Sequence, residues 1–167
     1  QGDYVSMGGS CMQVANNSLF AARVDRMGIL VSLAAAVCGR TPYMGLLVPK
    51  NRLASHLVQL KGLDVSGWTM TDYHCLGYAV GDKIPGFKPV AVDGLPPNLS
   101  FDHARALVIS MPTSGAVTLA HIVGTTPEAP TLEAATGGKP PENRISIGKR
   151  EMKEYWERLN IWDDDIV

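Results

Sequence analysis

Three positions carry the chemistry that the sequence suggests first: Ser114, Thr136 and Lys153. The apolar run at residues 104–111 predicts a buried strand, Pro112-Thr113 a break, and residues 114–123 a helix closed by Gly124. That order would set the Ser114 hydroxyl at a helix N-terminus. Free backbone N–H groups and the positive end of the helix dipole can there hold the oxyanion formed when a serine attacks a carbonyl. Gly115 would leave room for a substrate backbone beside the nucleophile. The plainer reading of the same residues is a helix cap, in which Thr113 or Ser114 only satisfies a free N–H.

A serine nucleophile needs a base. His121 would lie about 10 Å along the same helix, out of reach, and neither His74 nor His103 stands at a recognisable spacing. G-x-S-x-G is absent, and Gly138-Lys139 runs into Pro140 where a phosphate-binding loop requires Ser or Thr. A lysine remains, provided burial strips its hydration and draws its pKa from about 10.4 toward roughly 7 to 8. The amphipathic helix predicted over residues 149–159 offers two. Lys149 lies nearer the centre of the apolar face formed by Met152, Tyr155, Trp156 and Leu159, and Lys153 lies at its edge. Ser10 and Lys50 are a rival pair, but Lys50 follows a strand-like run rather than sitting inside a helix.

Pro112-Thr113-Ser114-Gly115, then Ala134-Ala135-Thr136-Gly137, then an extended piece and a lysine-bearing helix, resemble the birnavirus polyprotein-processing protease, a relative of the Lon proteolytic domain. The resemblance implies a Lon-like fold and a Ser-Lys endopeptidase acting through an acyl-enzyme. Ser114 would be the nucleophile, Lys153 the base and Thr136 the residue that orients the lysine. It further implies the protein's own polyprotein as substrate, with a small residue before the scissile bond, and a place in the cytoplasm of an infected host cell. No metal, nucleotide or other cofactor is expected. The alternatives are a non-enzymatic structural module in which Ser114 only caps a helix, and a thiol enzyme using Cys75 or Cys11 with a histidine.

The elements that must position these groups read as an α/β or α+β chain, strand-rich in its first part. Strands are predicted at 11–14, 19–24, 28–37, 43–48, 68–73, 75–80 and 87–92, with the alanines at 34–36 leaving 28–37 open to a helical reading. A short helix is predicted over 51–60, strands at 131–135 and 145–147, and a rigid connector at 94–98. Residues 1–167 are expected to form one domain with a subdomain seam near 94–103. Tyr155, Trp156 and Trp162 are expected to pack in a core or interface rather than to stack on bases.

Composition narrows the classes further. Hydrophobic residues at 46% and charged residues at 19% are globular values. Fifteen basic against sixteen acidic residues give a net charge of −1, no footprint for nucleic acid or an anionic membrane. The longest apolar run, 28–38, is too short to span a bilayer, so no membrane partner is expected. Three cysteines without a C-x-x-C pair fit free thiols in a reducing compartment and give zinc no ligand set. The chain does not begin with Met, which fits a trimmed chain or one cut from a longer precursor.

Overall fold

Four short parallel strands organise the molecule, and three of them are runs of residues buried on both faces. The computed structural model describes residues 1–160. Its strands are β1 (His56–Leu60), β2 (Val90–Asp93), β3 (Ala120–Ile122) and β4 (Asn143–Ile147). They lie in the order β3-β2-β1-β4, all parallel, with Leu57 opposite Ala91 and Arg144, and Ala91 opposite His121. Parallel neighbours need crossovers, supplied here by helices α3 (Met70–Lys83), α4 (Phe101–Ser114) and α5 (Leu132–Thr136).

One face of the sheet presents Val58, Val90, Val92, Ala120, Ile122 and Ile147. It packs against α3, α4, α1 (Ser10–Leu19) and α6 (Lys149–Leu159), forming the main core. Leu57 and Ala91 point the other way into a smaller cluster with Ala129 and Ala135, so α5 covers the second face. Residues on both sides of the seam expected near 94–103 share the main core. Helix α2 (Ile29–Cys38) buries only Ser32 and leaves Leu30 76% and Val37 80% exposed.

The first part of the chain is helical where strands were expected. Residues 11–14 belong to α1, 28–37 take the helical alternative as α2, and 43–48 contain a 3-10 turn, so no strand precedes His56. The segment 51–60, read as a helix, ends a 3-10 turn at Arg52 and becomes β1. Residues 68–73 and 75–80 fall largely in α3, whose start is fixed by Asp72 Oδ2 accepting from the N–H and hydroxyl of Thr69, both at 2.7 Å.

The run 104–111 lies inside α4. Ala104, Leu107, Val108 and Met111 fall at helical spacing on one buried face, a period that overrides the strand-like density of branched residues. Ser100 caps this helix by accepting from His103 N at 3.3 Å. The two helices meet closely, since a Cβ at Gly77 would overlap the Leu107 carbonyl oxygen, and one at Gly81 that of Met111. The helix expected over 114–123 does not form: Ser114 ends α4, and the residues after it carry the chain into β3. Residues 131–135 fall in α5 rather than a strand. The extended piece at 145–147 and the helix at 149–159 form as the sequence indicates, and 87–92 overlaps β2. Tyr155 is buried, Trp156 is 39% exposed, and Trp162 lies outside the described residues.

Candidate functional site

The segment before β1 is held by a buried cation. Arg52 donates from Nε and Nη2 to the Glu128 carboxylate, from Nη1 to Asn17 Oδ1 at 2.9 Å and to the Leu46 carbonyl at 3.2 Å. Its own carbonyl accepts from His121 Nε2 at 2.7 Å, which fixes the proton of that imidazole on Nε2. His121 Nδ1 is then buried with no partner, and burial pushes the histidine below its ordinary pKa. Helix α1, strand β3 and the loop at Glu128 thus converge on one arginine and pin residues 45–54 against the sheet.

That pinned segment forms one wall of a cavity of about 680 Å³. Ala54 and Ser55 lead into β1, Lys88 and Pro89 into β2, Thr118 toward β3 and Glu142 into β4, so the cavity opens at the amino ends of the strands. Asp25 and Arg26 come from the chain before α2, and Thr136 and Lys139 from the end of α5 and beyond. Asp25 Oδ1 accepts from Leu46 N at 3.3 Å, and Gly45, at φ +52°, admits it; any Cβ there would overlap the carboxylate. Ser55 Oγ shares a hydrogen bond of 2.9 Å with His56 Nδ1.

A second cavity of about 470 Å³ lies where β1 and β4 end, between Asp64, Trp68, Asp72, Lys149, Lys153 and Trp156. Its polar groups are largely spoken for within the fold. Asp64 accepts from Ser66 N, Asp72 caps α3, and Lys153 Nζ pairs with Glu157 at 3.6 Å.

The structure separates the three residues singled out from sequence. Ser114 is the last residue of α4, not the first of a helix, and its hydroxyl donates to the Tyr78 carbonyl at 2.6 Å. No free N-terminal N–H groups therefore face it. Thr136 lines the first cavity and donates to the Leu132 carbonyl at 3.1 Å. Lys153 borders the second cavity with its side chain 75% exposed. None of their hydrogen bonds or ion pairs joins two of the three. Cys75 is buried, which pushes its thiol up to about 11, and Cys11 is exposed. Among the described residues no three His, Cys, Asp or Glu side chains cluster as a metal-ligand set. Of the cavity residues, Arg26, Ser55 and Lys88 carry no sequence signal, and Lys50 and Lys139 enter the sequence reading only in patterns set aside; scattered through the chain, the five form no motif and share only their places before or between elements.

Known proteins give this geometry its context. The family described as aconitase X second domain matches residues 54–157. The phosphomevalonate dehydratase large subunit of Methanocaldococcus jannaschii is 31% identical over 98% of this chain and 40% of its own length. The cis-3-hydroxy-L-proline dehydratase of Hypocrea jecorina is 33% identical over 99% of this chain and 28% of its own. The crystal structure of Thermococcus kodakaraensis aconitase X in its holo form superposes with a TM-score of 0.81 at 32% identity, covering 92% of this chain and 37% of that one. The chain thus spans well under half the length of these relatives.

These findings overturn the protease reading together with its Lon-like fold, its polyprotein substrate and its Ser-Lys endopeptidase chemistry. The expectation of a viral protein in the cytoplasm of an infected cell falls with it, since the relatives are archaeal, bacterial and fungal dehydratases. The resemblance rested on short hydroxyl and glycine segments that the fold uses as helix ends and turns. Through residues 54–157, which include the whole parallel sheet and three of its crossover helices, the chain belongs to the aconitase X family as its second domain.

Proposed function

We propose that this chain is one domain of a dehydratase that removes water from a small hydroxylated carboxylate. The observation that carries the reading is the alignment of nearly the whole chain, at 30% identity or above, with dehydratases of two different substrates. Phosphomevalonate and cis-3-hydroxy-L-proline share one feature: each carries its hydroxyl on the carbon β to a carboxylate. In such a molecule the α C–H bond breaks and its electron pair forms the new C=C bond. The β C–O bond breaks as that C=C bond forms, a base takes the α proton, and the leaving hydroxide takes up a proton to depart as water.

What this chain offers to that chemistry is the cavity at the amino ends of its strands. About 680 Å³ accommodates a molecule of this size. Hydroxyls of Ser55 and Thr136 and the cations Arg26, Lys50, Lys88 and Lys139 border it, an environment suited to a polar, anionic substrate. The 167 residues act as one domain of the enzyme, and the 94–103 segment connects β2 to α4 across a shared core.

A chimera tests the reading. The matching segment of the Methanocaldococcus jannaschii phosphomevalonate dehydratase large subunit is replaced by this chain, and the product is followed by NMR with 5-phosphomevalonate and with cis-3-hydroxy-L-proline. A folded chimera that dehydrates either compound supports the reading. A folded chimera inert toward both overturns it.

A further inference from the structure

The cavity at the amino ends of the strands is lined by an arginine, Arg26, that no ion pair engages among the described residues. Arg26 Nη1 is buried and has no hydrogen-bond partner. A guanidinium N–H taken out of water without an acceptor costs free energy that a native fold does not normally leave uncompensated. Its Cζ sits 5.0 Å from the centroid of the Phe87 ring, and Phe87 lines the same cavity. Nη1 itself is closed off within the wall, so an anion in the cavity would meet the remaining N–H groups of the guanidinium.

The charges around it point the same way. Arg26, Lys50, Lys88 and Lys139 face only two carboxylates, Asp25 and Glu142. Glu142 lies 3.8 Å from Lys88, and Asp25 is engaged by the Leu46 N–H. Among the described residues Arg26, Lys50 and Lys139 make no ion pair, which leaves an excess of positive charge along the cavity wall. A guanidinium fork flanked by ammonium groups matches the oxygens of a carboxylate or a phosphate.

We infer that this cavity is an oxyanion-binding site in which Arg26 is the principal donor and Lys50 and Lys139 supply supporting charge. The group it takes is a terminal carboxylate or phosphate. That this oxyanion is the substrate's own rests on the dehydratase reading; the existence of the site does not.

The test titrates the full protein with inorganic phosphate and, in a separate arm, with acetate, by calorimetry and by NMR shifts of the Ser55 and Asn51 amides. Saturable binding of either anion is expected, and Arg26→Gln should weaken it by about tenfold or more, the loss typical of a hydrogen bond to a charged group. Arg26→Lys, which keeps the charge but not the fork, should recover part of it, and Lys83→Gln, on α3 away from the cavity, should change nothing. Tighter phosphate than acetate binding assigns the site to a phosphate end, the reverse to a carboxylate end. Should Arg26→Gln not fold, Lys139→Gln and Lys50→Gln on the exposed rim decide, each expected to weaken binding several-fold. Absence of saturable binding in both arms, or unchanged binding in the charge-removed variants, overturns the site. Anion binding that depends on Arg26 in a protein that dehydrates nothing would retain the site and discard the dehydratase reading. Dehydration with an unchanged KM in Arg26→Gln would do the opposite.

Discussion

Arg52 Nη2 lies 2.6 Å from Glu128 Oε2, with the arginine side chain only 4% exposed and the glutamate 29%. This pair joins the segment before β1 to the loop after β3, and through Asn17 it reaches α1 as well. Because the two partners differ in their access to water, their removal should differ in cost.

Arg52→Leu should destabilise the protein by about 3 kcal/mol or more, since it leaves the Glu128 carboxylate without its partner and the Leu46 and Asn17 carbonyls without the donor they share, while Asn17 Oδ1 keeps only the Val24 N–H. Glu128→Gln should cost clearly less, because water reaches that end. Urea unfolding of both variants checks the order; an equal or reversed order would mean that the arginine is not the anchor of the segment.

His121 supplies a pH dependence. Burial, the larger effect, holds its folded pKa below the ordinary value, with the attraction of Glu128 and the bond to the Arg52 carbonyl acting the other way. The unfolded chain therefore binds the proton first as pH falls, so the stability linked to this residue is intact above about pH 6.5 and is lost as pH drops below it toward the folded pKa. His121→Gln, which can still donate to the Arg52 carbonyl, should flatten the part of the stability profile between pH 7 and 5. Denaturant midpoints at the two pH values read it out, and an undiminished slope in the variant would reject the assignment.

At the meeting of α3 and α4 the backbone distance is set by a missing side chain. Gly77→Ala should raise helix propensity yet destabilise by about 1 to 3 kcal/mol, because its Cβ would overlap the Leu107 carbonyl and force the helices apart. A melting temperature that rises instead would show that the helices can separate freely.

Ser114 and Lys153 should behave as a structural group and a surface group. Ser114→Ala removes the hydrogen bond to the Tyr78 carbonyl and should cost about 1 kcal/mol. Lys153→Ala loses only an exposed pair with Glu157 and should stay within about 0.5 kcal/mol of the parent. Thermal unfolding of the two proteins, with dehydration measured alongside in the chimera, checks both; loss of turnover in a stably folded Ser114→Ala would return that hydroxyl to the chemistry.

Some of this molecule was legible in the sequence. Helix α6 announced itself because Met152, Tyr155, Trp156 and Leu159 recur at helical spacing among charges, and β4 because its residues 145–147 form a short extended run just before that helix. The α/β class also held. Helices α3 and α4 were misread although their signals were present: the Thr69-Asp72 capping pair, and the recurrence of Ala104, Leu107, Val108 and Met111. Buried on much of their surface, they are dense in apolar residues, and density without attention to period looks like a buried strand. The candidate site had no such signal. Arg26, Lys50, Ser55, Lys88 and Lys139 lie far apart in the chain, and local propensity says nothing about where each will go. Only the side-by-side pairing of parallel strands, which starts every strand at the same edge of the sheet, gathers the residues before those strands around one cavity, so their chemistry is a property of the tertiary fold.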